Sequence, residues 1–132
     1  MTYLLDTNFC IDLLNRRDTL AARRLATVSP REIRLCSVVT AELFHGAYKS
    51  KRGENINLVK AFTSSFQSLP FDDRSAEIYG RLRTELEQQG NVIGPNDLLI
   101  ASIALANNLT LITHNTVEFS RIANLTIEDW QA

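Results

Sequence analysis

Cysteine, histidine and tryptophan are scarce in these 132 residues: two, two and one, with only three prolines. Cys10 and Cys36 make neither a CxxC pair nor a disulfide framework, and their apolar surroundings mark them as small core residues. His45 and His114 fall on different predicted elements and supply no paired ligands for zinc. No apolar run approaches the roughly 20 residues that span a bilayer. A basic-then-apolar leader is missing from the first residues. The expected setting is therefore cytoplasmic, without a membrane partner. Repeats, low-complexity tracts and linkers are absent as well, and the length suits a single domain, 1–132, with one substantial core.

Excess charge of either sign is also lacking, since the net charge is −1. That balance hides an asymmetry. Residues 1–60 carry ten Lys or Arg against six acids, whereas residues 61–132 carry four against nine. The basic excess gathers at Arg16, Arg17, Arg23, Arg24, Arg31 and Arg34, then at Lys49, Lys51 and Arg52. Such clusters can hold phosphates through a salt-sensitive attraction, or can simply be solvated helix faces.

What is present is an alternation of short apolar runs with helical patterns. Tyr3-Leu4-Leu5 is too brief for a helix and ends abruptly in Asp6-Thr7-Asn8, after which Phe9, Ile11, Leu13 and Leu14 begin a helix. Asp18 or Thr19 can cap a second helix, which Ser29-Pro30 ends. Ile33 to Cys36 alternates as a strand, and Ser37 reads as the N-cap of a helix through Glu42 and Tyr48. Leu58, Val59, Phe62 and Phe66 form a helical stripe. Leu69-Pro70-Phe71 is an edge-strand candidate. Asp72 or Asp73 can cap a helix that Gly90 stops. Gly94-Pro95-Asn96-Asp97 opens the most apolar helix, Leu109 to Thr113 is a strand, and Leu125 to Trp130 can add a last one. Strands and helices in turn imply a central parallel sheet of four to five strands, covered on both faces.

In such a sheet the strand ends and the helix starts that follow share one edge. That rule brings Asp6, Glu42, Asp97 and Glu118 toward one rim, with Thr7, Asn8, Thr113 and Asn115 as polar neighbours. Each has a plain explanation, because Asp6 can be an N-cap, Asp97 gains from a helix dipole, and Asn115 with Glu118 fits a capping box. Together they repel, and a bound cation relieves the repulsion. Hard carboxylate oxygens favour Mg²⁺ or Mn²⁺. The chemistry implied is metal-assisted phosphoester hydrolysis, with Asp6 and Asp97 the chief ligands. Glu42 and Glu118 would bind a second ion, anchor waters or orient the nucleophile. Arg16, Arg17, Lys49, Lys51 and Arg52 would hold the phosphates of a polyanion at the margins.

These residues carry a resemblance. Tyr3 to Asn8, Ser37 to Leu43 with Gly46-Ala47, Gly94 to Asp97 with Ile100-Ala101, and Thr113-His114-Asn115 with Glu118-Phe119 are similar to the PIN-domain ribonucleases, specifically the VapC toxins of bacterial toxin–antitoxin pairs. The closing Ile127 to Trp130 also matches. The resemblance implies a PIN-like three-layer α/β/α sandwich and an Mg²⁺- or Mn²⁺-dependent endoribonuclease that arrests translation by cutting structured RNA. The expected substrate is tRNA, with the initiator tRNA anticodon stem-loop as one case. It also implies a homodimer and a VapB-type antitoxin, through which alone operator DNA is reached. The family's acids carry over onto Asp6, Glu42 and Asp97. Many relatives have Asp where Asn115 stands, while Glu118 matches the second acidic position of that loop.

Two other readings compete. An aspartyl-nucleophile phosphatase also starts from a strand-borne Asp, but it needs a second Asp where Asn8 stands. A non-catalytic PIN-like module would only bind RNA or protein.

Overall fold

In a computed structural model, which describes residues 1–16 and 19–131, the strand-then-helix reading of the first residues holds. Strand β1 (Tyr3–Leu5) runs straight into helix α1 (Thr7–Asn15). Helix α2 (Leu20–Ala26), β2 (Ile33–Cys36), α3 (Ser37–Lys49), α4 (Gly53–Ser64) and β3 (Gln67–Leu69) follow. Then come α5 (Asp73–Gln89), α6 (Pro95–Ala106), β4 (Thr110–Ile112), α7 (Thr116–Phe119) and β5 (Ile127–Glu128). The sheet has five strands in the order β3-β2-β1-β4-β5, and every neighbouring pair is parallel. Among the described residues no helix is long and apolar enough to cross a membrane.

Burial explains the order. Leu4 and Leu5 on β1, Ile33 and Leu35 on β2, and Leu111 and Ile112 on β4 are fully shielded from water. A strand hidden on both faces reads as a continuous apolar run, and each such side chain contributes about 1.5–3 kcal/mol. The edge strands are weaker: Gln67 and Ser68 of β3 are exposed, and β5 has only two residues. Helix α6 lacks a polar face because Ile100, Ala101, Ser102, Ile103 and Ala104 are all completely buried. It packs against both α5 and α3. Cys10 and Cys36 are free, buried core residues.

Local chemistry set most boundaries as expected. Thr19 caps α2, Asp18 lying outside the described residues, and Asp72 caps α5 through Ser75. Gly90 ends α5 at φ 70°, a left-handed position that suits a residue without Cβ. Four details differ. Helix α2 ends at Ala26, ahead of Ser29-Pro30, and Pro30–Glu32 forms a separate 3₁₀ turn. Ser37 is the first helical residue rather than the cap, and its hydroxyl accepts from the Phe71 N–H at 3.3 Å. Phe66 lies beyond the end of α4, though it still stacks edge-on against Phe62. Pro70 and Phe71 fall outside β3, whose ladder ends at Leu69 because proline has no N–H to give.

Candidate active site

Because every strand is parallel, the carboxyl ends of β1, β2 and β4 open onto one edge, and the first turns of α1, α3 and α6 meet there. Asp6 sits between β1 and α1. It caps the helix, its Oδ1 accepting from the Phe9 N–H at 2.9 Å, and it is only 4% exposed. The cap reading of this residue thus holds, and its carboxylate stands at the same rim as the other acids. Burial holds its carboxyl above the ordinary range. Hydrogen bonds from Thr113 and Phe9 oppose that shift, and Glu42 adds to it. The Thr113 hydroxyl serves two groups, since it also accepts from the Asn115 N–H at 3.0 Å.

Glu42, in the second turn of α3, is held from both sides. Thr7 donates its hydroxyl to Oε1 at 2.5 Å, and the Asn96 amide donates to Oε2 at 3.3 Å. Three elements therefore converge on one carboxylate. Glu118 of α7 is held in the same manner, by the Gly94 N–H at 2.7 Å and the Asn115 amide at 3.2 Å. The expected capping box is not formed here, because the Asn115 side chain donates to Glu118 instead of capping the helix, and the Asn115 N–H goes to Thr113. A Cβ at Gly94 would stand 3.7 Å from Asp97 Oδ2 and 3.7 Å from Glu118 Oε1, so these two carboxylates flank one small residue.

Asp97 differs from the others, for its carboxylate receives no hydrogen bond from the described residues. Its carboxyl is pushed up to about 6, first by burial and then by the charges of Glu118, Asp6 and Glu42. The other three acids named from the sequence thus all act on this one group. Among the described residues the four are not closed into a ready-made metal cage. Three of them, Asp6, Glu42 and Glu118, are tied to protein donors, and like charges brought together repel.

Two open grooves meet at this rim. One, of about 510 Å³, is lined by Asp6, Asn8, Asp12, Arg16, His114 and Asn115. The other, of about 720 Å³, includes Thr7, Asn8, Glu42, His45, Lys49 and Asn96. Arg16 and Lys49 therefore border the acids, with Arg16 paired to Asp12 at 3.6 Å. Lys51 and Arg52 do not line either groove. They follow the far end of α3, roughly 13 Å beyond Glu42 at 1.5 Å per residue. Arg17 lies outside the described residues. Asn96 and the Gly94 N–H were not singled out from the sequence, although both sit inside the Gly94-Pro95-Asn96-Asp97 motif.

The chain is also similar to known proteins along nearly its whole length. The PIN domain profile matches residues 3–125. Ribonuclease VapC2 of Rickettsia felis is 44% identical over 132 residues, with 98% of each chain covered. The tRNA(fMet)-specific endonuclease VapC of Shigella flexneri is 34% identical over 131 residues, again with 98% of each covered. Among solved structures, VapBC2 from Rickettsia felis bound to a DNA fragment from its promoter matches with a TM-score of 0.92 and 43% identity. That match covers 98% of this chain and 99% of the other.

Proposed function

This chain belongs to the PIN-domain family, and from that premise we propose that it is the toxin of a VapBC-type toxin–antitoxin pair, a metal-dependent endoribonuclease that hydrolyses RNA phosphodiester bonds. PIN-domain nucleases generally depend on a divalent metal. The donor set here fits one in kind, since carboxylates, hydroxyls and amides are all hard oxygen or neutral groups and no thiolate is available. We assign Mg²⁺ or Mn²⁺ to Asp6, Asp97 and Glu42, with Glu118 at the margin. When bound, the ion neutralises phosphate charge and makes an attacking water more acidic.

The chain's own residues do the rest. Thr7 and Asn96 fix the Glu42 carboxylate so that it can orient a water against the phosphate. Gly94 and Asn115 keep Glu118 aimed at the same space. Thr113 steadies Asp6, and Asn8 offers a neutral donor at the groove where a strand would enter. Arg16 and Lys49 give a polyanion something to approach at an otherwise acidic rim.

The observation that carries this reading is the shared electrostatics of the rim. A carboxyl raised to about 6 by burial and by three neighbouring acids carries its charge at neutral pH at a cost, and a cation beside it relieves that cost. Relatives named tRNA(fMet)-specific endonuclease make initiator tRNA the substrate we propose, cut in an exposed loop. We further propose a homodimer held in check by a VapB-type antitoxin, which would bring operator DNA into the complex as in the promoter-bound relative. Such an activity belongs with tRNA in the cytoplasm. The test is RNA cleavage with Mg²⁺, with EDTA, and with Asp6→Ala. Cutting confined to the first condition supports the assignment. Cutting that survives EDTA or the substitution refutes it.

A further inference from the structure

His114 follows Thr113 directly at the end of β4, and its ring is not used by the chemistry above. Its Nδ1 lies 2.9 Å from Asp129 Oδ2. The other oxygen of Asp129 is occupied by the Gln131 N–H at 2.9 Å, so the carboxylate is fixed at both ends. The Asp129 side chain is 18% exposed and that of His114 is 65% exposed, which places a shielded anchor behind an open ring. An ionised carboxylate only accepts, so Nδ1 must carry the hydrogen. In the neutral ring Nε2 is then left with a lone pair, because the bond made by one nitrogen decides the state of the other.

His114 lines the groove that Asp6 also lines. Asn8, Asp12, Asn15 and Arg16, on one face of α1, line the same groove, and ten residues at 1.5 Å each separate Asp6 from Arg16 by roughly 15 Å. A nucleic acid whose phosphate lay against Asp6 would continue along this groove, with its sugars passing His114. A lone pair held in place beside a sugar is an acceptor, and the sugar group that can donate to it is the 2′-hydroxyl present only in RNA.

We propose that the Asp129-anchored His114 accepts, through Nε2, a hydrogen bond from a ribose 2′-hydroxyl in the α1 groove, and so discriminates RNA from DNA. This rests on the reading of the rim as an RNA-cleaving centre. Asp129 is a positioning residue, acting through the ring it holds. The phosphate contacts of Arg16 cannot supply such discrimination, since phosphates are common to both polymers.

The experiment measures fluorescence anisotropy in EDTA for the wild type, His114→Ala and Asp129→Asn. The probes are a labelled initiator tRNA anticodon stem-loop made as RNA, as RNA with one 2′-deoxy sugar at each loop position in turn, and as DNA. In the wild type, one deoxy position costs about five- to tenfold in affinity, the size of a single neutral hydrogen bond. The same deoxy substitution costs nothing further in His114→Ala, which binds DNA as the wild type does. Asp129→Asn, which permits either tautomer, keeps only part of the discrimination. The proposal is overturned if the deoxy penalty persists in His114→Ala. It is equally overturned if that variant weakens RNA and DNA by the same factor, or if the wild type shows no preference between them. Mg²⁺-dependent cleavage of the same RNA by the wild type, run alongside, tells whether the nuclease reading falls with it or stands alone.

Discussion

Substituting Asp97 with asparagine should stabilise the metal-free protein while removing its function. Asp97 has its carboxyl raised from 3.8 to about 6, which corresponds to roughly 3 kcal/mol of unfavourable interaction at 1.36 kcal/mol per unit. The side chain is only half-buried, so solvent screening reduces this to about 1–2 kcal/mol. The sign follows from linkage. A carboxyl that holds its proton more tightly when folded costs stability wherever the folded protein must give that proton up. The cost is absent below the unfolded value, builds as pH rises between 3.8 and about 6, and is complete above that. Urea unfolding in EDTA should therefore find Asp97→Asn more stable than the wild type by about 1–2 kcal/mol near pH ~7.5, with the gap closing toward pH ~4. Adding Mg²⁺ should raise the wild type and leave the variant unmoved. A variant that is less stable in EDTA at neutral pH, or a gap indifferent to pH, would refute the reasoning.

Asp6 separates structure from chemistry. Asp6→Asn retains a good N-cap and should unfold like the wild type, whereas Asp6→Ala should lose about 0.5–2 kcal/mol, and neither should cut RNA. Thr7→Val frees Glu42 Oε1, so RNA cleavage is expected to fall about tenfold, the equivalent of one lost hydrogen bond to a charged group, with little change in melting. Gly90→Ala places a Cβ at φ 70° and should cost about 1 kcal/mol in urea unfolding while sparing cleavage. Arg16→Ala and Lys49→Ala should each weaken RNA binding and flatten its salt dependence by about one unit, whereas Lys51→Ala and Arg52→Ala should do neither.

The difference between Lys49 and Lys51 illustrates what a sequence conveys and what it withholds. Apolar runs, caps and the glycine stop are local signals, and from them β1, α1, α5 and the buried α6 were all legible. So was the rim, because parallel strands send every strand end to the same side, and Asp6, Glu42, Asp97 and Glu118 all stand at such ends or at the helix starts beyond them. The hydrogen bonds that hold those acids were not legible. Asn96 reaches Glu42 across 54 positions and Gly94 reaches Glu118 across 24, distances over which spacing carries no information about partners. For the same reason Asn115 and Glu118 looked like a capping box. The local pattern was satisfied, but the Asn115 side chain donates to Glu118 and its N–H goes to Thr113. Lys49 shares a face of α3 with Glu42, seven residues earlier, whereas Lys51 and Arg52 follow the end of that helix and line neither groove.

The most direct test is titration of Mn²⁺ into the metal-free protein, followed by calorimetry, for the wild type and for Asp6→Asn and Asp97→Asn. The rim described above predicts binding by the wild type that either substitution abolishes. Undiminished binding in both variants, or none in the wild type, would contradict it.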